Sequence, residues 1–417
     1  MKTKLLPLLA LLPTFALCQT VLRPDRVFDG VDMQQGWVVA VEDSLITYAG
    51  PAQGYRIPRG AAVLDLGGHT LMPGLIEGHS HLLLHPYNET DWNDQVLKES
   101  VAERAIRGAV HARKSLMAGV TTMRDLGSEG AGYADVALKH TIEAGIIPGP
   151  RLLAAGPAIV ATGAYGPKGF HEGVEVPLGA IPASGVSGVI AETRRQMGGG
   201  ADLIKIYADY RWTPGAPSQP TFLQEELDAM VAAATSAGSY AVAHASTPEG
   251  MRRAVMAGVE TIEHGDGGTP EVFALMAEKG VVLYPTLAAG DAIERYRGWD
   301  GKTDTERIAK KKSSFRQALA SGVTIGFGGD VGVYPHGENY RELELMAAYG
   351  MPPIEVLRAA TSVNARTFHL PALGHVKAGF LADLIAVPGN PASDIGKLRE
   401  VTLVMLNGKV VRQDPNP

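Results

Sequence analysis

A chain of 417 residues, 45% hydrophobic and 20% charged, has room for one large domain and a smaller companion, and this balance excludes a disordered or fibrous protein. Its net charge of -6, with acidic and basic residues interspersed, provides no basic field for a phosphate backbone, so no nucleic-acid partner is expected. The one cysteine is Cys18, and a chain without it has no thiol, so disulfides and thiolate metal sites are excluded and nitrogen and oxygen must hold any metal.

Residues 1–20 carry Lys2 and Lys4 ahead of an apolar run over 5–18, the layout of a secretory signal peptide. The run falls short of the roughly 20 apolar residues that span a bilayer and contains Pro7 and Pro13. The expectation is therefore an exported protein, periplasmic or secreted, with no stable membrane insertion once the peptide is removed. Ala16 and Cys18 suit cleavage after Cys18, and bulky Leu17 argues against lipid anchoring there.

Residues 21–72 read as short strands and turns, and the same texture returns over 374–417. Strands from the two ends are expected to form one small β-sandwich domain, with 73–373 inserted between them. That insert alternates apolar strand candidates with helical stretches, the pattern of βα units around a parallel sheet. The candidates end at His81, near Asp125, at Gly156, near Tyr207, at His244, at His264, at Thr286 and at Asp330. Helices are expected over 94–117, 222–236 and 304–320. Eight such units make an α/β protein with a TIM-like (β/α)8 barrel, whose chemistry sits at the C-terminal ends of its strands.

Residues 72–81 read Met-Pro-Gly-Leu-Ile-Glu-Gly-His-Ser-His, so His79 and His81 stand two apart. On a strand, side chains at that spacing share a face and offer two imidazoles to one metal. Lys205, His244, His264 and Asp330 lie at later strand ends. Singly, each has an ordinary reading: a core histidine, a strand-end lysine, a capping aspartate. Their common placement argues against coincidence. Four imidazoles, one carboxylate and one lysine suit two divalent ions, and zinc, manganese, iron and nickel all accept such ligands; zinc is the expected metal. A buried lysine loses its proton more easily, and the free amine reacts with carbon dioxide to give an anionic carbamate.

The set resembles the amidohydrolase superfamily in residues 73–81, in the Ala-Gly-Val-Thr-Thr-Met-Arg-Asp-Leu-Gly segment over 118–127, and at Lys205, His244, His264 and Asp330. The likeness covers nearly the whole chain after residue 20. The stretches over 85–96 and 205–212 are similar to the imidazolonepropionase-like branch, which includes Xaa-Pro dipeptidases, arylcarboxypeptidases and bacterial ochratoxin hydrolases. The resemblance implies that His79, His81 and Asp330 hold one ion, that His244 and His264 hold the other, and that carbamylated Lys205 bridges them. It implies a metal-activated water as nucleophile, with Asp330 as the catalytic residue that moves the proton to the leaving amine.

Two departures stand out. Glu77 occupies a place where the family often has Asp, and residues 162–166 read Thr-Gly-Ala-Tyr-Gly where the family commonly has Thr-Gly-Gly-His-Gly, so Tyr165 replaces a histidine. Candidate substrate-binding residues are Tyr165 and His171 in the loop after the third strand, and Tyr210 and Arg211 after the fourth. His85 and His336 lie in loops at the same end; His69, His111, His140, His369 and His375 read as structural. The expected activity is hydrolysis of an amide bond to an amino acid in a small-molecule substrate: a dipeptide, a C-terminal residue or an N-acyl amino acid such as ochratoxin. The resemblance also suggests a homo-oligomer. The alternatives are a mononuclear hydrolase or deaminase of cyclic amides, and a non-catalytic binding protein on the same fold.

Overall fold

The computed structural model describes residues 19–171 and 173–414. Most of the expected leader lies outside the described residues; Thr20 already belongs to the fold, opening strand Thr20–Phe28 and pairing with Ala62.

Both chain ends enter one eight-stranded sheet. Strands Thr20–Phe28, Met33–Gln35, Trp37–Glu42, Leu45–Pro51 and Ala62–Pro73 come from the start of the chain, and Leu384–Pro388, Leu403–Leu406 and Lys409–Gln413 from the end. The alternation of apolar residues explains the association: Leu22, Val39, Ile46 and Leu71 bury against Leu384, Ala386, Leu403 and Met405 in one apolar cluster. The long strand Ala62–Pro73 joins the two sets, parallel to Thr20–Phe28 and antiparallel to Leu384–Pro388, with Met72 opposite Ile385. The apolar stretch over 401–411 folds back on itself at Asn407 (φ 49°) and Gly408 (φ 73°). Asn-Gly suits a tight hairpin because both central residues need positive φ.

The inserted segment supplies parallel strands. Leu75–Ser80, Val120–Asp125 and Arg151–Ala154 form one sheet. Ile204–Tyr207, Ala241–Ala245, Thr261–His264 and Val282–Tyr284 form another. The chain leading to Asp330 lies between the two, with parallel bridges Leu283 to Ile325 and Ser80 to Val331. On the far side the Asp202 N–H donates to the Ala154 carbonyl at 2.8 Å. Two short strands, Ile159–Ala161 and Ile181–Ala183, extend the second sheet through the pair Ile206 and Ile159, an addition absent from the sequence reading.

Helices pack outside these strands. The helix expected over 94–117 divides into Trp92–Lys98 and Val101–Met117, because Ser100 is extended and its hydroxyl accepts the Glu103 N–H as a cap. Gln224–Ser236 and Glu306–Ser321 lie within two residues of the expected positions. Buried Arg104 on Val101–Met117 donates to the carbonyls of Leu83, Ser128 and Glu129, fixing the loops that follow the first two barrel strands. No helix among the described residues is long and apolar enough to cross a membrane.

Candidate metal centre

Every residue of strand Leu75–Ser80 is buried. Gly78 permits this: a Cβ there would lie 2.3 Å from the Tyr284 ring and 2.8 Å from the Phe327 carbonyl. Glu77 then ties the strand to the chain around Asp330. Its carboxylate accepts the backbone N–H groups of His79 (3.1 Å) and Gly329 (2.9 Å) and the Asn339 amide (2.8 Å). Burial pushes the Glu77 carboxyl up to about 7 against these donors. The Asp330 N–H in turn donates to the His79 carbonyl at 2.8 Å.

This scaffold brings His79, His81 and Asp330 together. The Asp330 carboxylate lies 3.6 Å from His79 Nε2 and 3.3 Å from His81 Nε2, and ligand atoms of all three fall within 4.8 Å of one another. The His264 ring is centred 5.1 Å from that of His79 and 4.4 Å from that of His244. Lys205, on the neighbouring strand, is 1% exposed.

The outward nitrogens have partners. His79 Nδ1 meets Glu263 Oε2 at 2.8 Å, His81 Nδ1 meets the Gly127 carbonyl at 2.9 Å, and His264 Nδ1 meets Thr286 Oγ1 at 2.8 Å. This leaves Nε2 of each directed inward. For His244 the arrangement is reversed, with Nε2 3.6 Å from Asp209. Asp209 is itself fixed by N–H donors from Ser246 and Thr247 and by the Thr247 hydroxyl.

Charge states follow from burial and neighbours. Burial, reinforced by Lys205, holds His79 and His244 well below the usual imidazole range, and burial with His244 does the same for His264. These are neutral imidazoles, the form a metal requires. Burial also lowers His81, but the Asp330 hydrogen bond and charge outweigh it and carry His81 to about 9. Burial brings Lys205 down to about 8 despite the opposing Glu263 and Asp330 carboxylates. Burial raises Asp330, yet His79, His81 and Lys205 together hold it below the usual carboxylate range.

Backbone strain collects at the same place. Glu129 (φ 50°), His264 (φ 78°), Thr286 (φ 48°) and Asp330 (φ 61°) adopt left-handed conformations at or beside strand ends. Such conformations cost about 1–3 kcal/mol each and persist where function holds them.

An aromatic wall flanks the centre. Tyr207 stacks on His244 at 4.7 Å, Tyr165 packs on Tyr207 at 4.6 Å and on Tyr210 at 4.8 Å, and Trp92 meets Tyr165 edge-on at 5.3 Å. Buried Glu129 links the wall to the centre, its Oε1 4.0 Å from His81 Nδ1 and its Oε2 accepting the Trp92 indole N–H and the Tyr165 hydroxyl, each at 2.8 Å. Arg211 is exposed with its guanidinium 5.5 Å from the Tyr210 ring, and His171 lies exposed in its loop, where its ring accepts the Gly173 N–H. The sequence reading missed Glu129, Trp92, Tyr207, Asp209, Glu263 and Thr286. Signals were present: Trp92, Tyr207 and Asp209 lie in the stretches similar to the imidazolonepropionase-like branch, Thr286 ends a strand candidate, and Glu263 stands beside His264.

Residues 70–411 match the model of the amidohydrolase family. The chain belongs to the amidohydrolase family. It is 31% identical to the ochratoxinase of Aspergillus niger over 377 residues, covering 82% of this chain and 75% of that one. A solved Xaa-Pro dipeptidase with methionine bound in its active site is 30% identical, with a TM-score of 0.83 over 94% of this chain and 100% of that one. The crystal structure of Aspergillus niger ochratoxinase is 26% identical, with a TM-score of 0.81 over 96% of this chain and 97% of that one. The amidohydrolase fold is a TIM-like barrel of mixed α/β content, and the family match with these enzyme relatives supports a hydrolase acting on carbon–nitrogen bonds. Amidohydrolases are generally metal-dependent, and His79, His81 and Asp330 form a group able to hold a metal.

Proposed function

We propose that this amidohydrolase is binuclear and cleaves the amide bond joining an acyl group to an amino acid. The observation that carries the reading is the donor set: four imidazoles, Lys205 and Asp330 gathered at one end of the parallel strands, with the outward nitrogens of His79, His81 and His264 hydrogen-bonded and that of His244 3.6 Å from Asp209. In this reading His79, His81 and Asp330 hold one divalent ion, His244 and His264 hold the second, and carbamylated Lys205 is shared. Zinc suits these nitrogen and oxygen donors.

The Lys205 amine adds to the carbon of carbon dioxide and releases one proton, leaving an N-bound carboxylate. Its lowered proton affinity favours the free amine that this step needs. The ions, when bound, supply Lewis-acid polarisation of the scissile carbonyl and acidify a water. The Asp330 carboxylate, whose Oδ1 lies 3.6 Å from His79 Nε2 and 3.3 Å from His81 Nε2, takes the proton of the attacking water and delivers it to the departing amine nitrogen. The aromatic wall of Trp92, Tyr165, Tyr207 and Tyr210 excludes water on one side and lines the path for substrate.

Supporting the substrate class are the ochratoxinase and Xaa-Pro dipeptidase relatives, which carry the proposal to N-acyl amino acids and dipeptides. The same proposal includes a closed (β/α)8 barrel beside a terminal β-sandwich, export by a leader at residues 1–20, and a homo-oligomer. A mononuclear enzyme is the second reading, favoured by one fact: among the described residues, only His79, His81 and Asp330 form a tight group of histidine and carboxylate donors.

Metal analysis of wild type and Lys205→Ala separates the two. The binuclear reading expects two ions in wild type, with loss of ion content and at least a 100-fold fall in hydrolysis in the variant. Two retained ions and undiminished turnover in Lys205→Ala would overturn it. A screen over N-aroyl amino acids, Xaa-Pro dipeptides and ochratoxin identifies the substrate, and turnover of lactams alone would favour the mononuclear reading.

A further inference from the structure

His79 is the candidate ligand imidazole whose outward nitrogen lies within hydrogen-bond distance of a carboxylate, since His244 Nε2 stands 3.6 Å from Asp209. His81 and His264 meet neutral oxygens, from Gly127 and Thr286, whereas His79 Nδ1 meets the Glu263 carboxylate at 2.8 Å. Glu263 is wholly buried, and so is the cation that neutralises it: Arg124 donates to Glu263 Oε1 at 2.8 Å. The Thr261 hydroxyl donates to the same oxygen at 2.5 Å. Arg124 donates in turn to the Gly78 carbonyl at 2.7 Å and lies against the stacked rings of Tyr284 (4.7 Å) and Phe368 (4.4 Å). The chain of contacts thus runs from the barrel interior to one nitrogen of one candidate ligand.

A buried ion pair costs more desolvation than most apolar fillings of the same volume, so its presence calls for a reason beyond stability. Geometry supplies one. Glu263 Oε2 is spent on His79 while Oε1 takes both Arg124 and Thr261, so the carboxylate cannot turn without breaking three contacts. A fixed acceptor at Nδ1 keeps the proton on that nitrogen and presents Nε2, unprotonated and correctly aimed, toward Asp330. Carboxylate partners of this kind also raise the basicity of the imidazole they hold.

We infer that the Arg124–Glu263 pair is a positioning device for His79, setting its tautomer and thereby the affinity for the ion held by His79, His81 and Asp330. The inference rests on the metal-dependent reading above. It assigns the two ion positions unequal support: a carboxylate hydrogen-bonded to His79 behind one, and Thr286 behind His264, with Asp209 3.6 Å from His244, behind the other.

The test is competition for zinc between the purified protein and a chromophoric chelator, resolving each ion separately. Wild type should take two ions. Glu263→Gln should weaken one of them 10–100-fold and leave the other within about threefold, whereas Thr286→Val should weaken the opposite one. Because Glu263→Gln strands a buried arginine, the charge-free pair Arg124→Met with Glu263→Gln is measured beside it and should show the same selective loss. Equal weakening of both ions in these variants, or no weakening, overturns the inference. A wild type that takes one ion refutes the two-ion reading alone: 10–100-fold weakening of that ion by Glu263→Gln then supports the positioning role, and unchanged affinity overturns it. A wild type that takes no ion overturns both.

Discussion

Tyr165 stands where the family commonly carries histidine, and the structure shows what the phenol does there. Its hydroxyl donates to Glu129 Oε2, which also receives the Trp92 indole, and the Tyr207 hydroxyl donates to Oε1 at 3.4 Å, so aromatic donors stabilise a buried carboxylate near the candidate metal group. Tyr165→Phe removes one donor and leaves a buried acceptor half-satisfied, at a cost of about 1–3 kcal/mol. Urea unfolding checks that loss, and ion content should not change, because Tyr165 is no ligand; a stability equal to wild type would contradict the role. The candidate group of His79, His81 and Asp330 was legible in sequence, since few residue types bind metal and His79 and His81 stand at strand spacing. Their partners were not. Glu129 and Glu263 are carboxylates among 44 acidic residues, and only tertiary packing brings Glu263, 184 positions away, to His79.

Among the elements, the first barrel strand is the most tightly specified. Gly78 faces the Tyr284 ring and the Phe327 carbonyl, both anchored by Asn364, which accepts the Tyr284 hydroxyl and donates to that carbonyl. A methyl group there has nowhere to go, so Gly78→Ala should cost roughly 1–3 kcal/mol and displace His79, weakening ion binding. Gly188 is the contrast: it lies inside helix Gly185–Gly198 with open space around its Cβ position. Gly188→Ala should stabilise by about 0.5–1 kcal/mol, and thermal unfolding of the two variants should move in opposite directions. The buried strands were readable because both faces are apolar, giving short continuous runs bounded by glycine. The break at Ser100 had a signal, Ser followed three residues later by Glu, but the helical pattern on either side concealed it. Ile159–Ala161 and Ile181–Ala183 are three residues each, too short for any periodicity to register.

At the scale of the whole molecule, the helix Val101–Met117 is joined to the chain beyond Asp330 through two stacked imidazoles. The His111 and His336 rings lie 4.3 Å apart at 14°. Each meets a carbonyl of the segment after His81: His111 Nδ1 that of Leu82 at 2.8 Å, and His336 Nε2 that of Leu84 at 3.2 Å. Burial lowers both, His111 to about 4 and His336 well below the usual imidazole range, the latter assisted by the His111 charge. Below about pH 6.5 the unfolded chain takes up protons that the folded protein refuses, so this contribution to stability is complete above 6.5 and is lost as pH falls toward 4. Each histidine adds a slope of up to about 1.4 kcal/mol per pH unit within that window. His111→Phe keeps a flat ring in the stack and removes one titrating group, although it forfeits the hydrogen bond to Leu82. Urea unfolding at pH 7, 6 and 5 should therefore show a variant less stable at neutral pH whose stability declines less steeply in acid. Parallel declines in the two proteins would mean that the stack is not what links acid stability to the joining of helix and barrel.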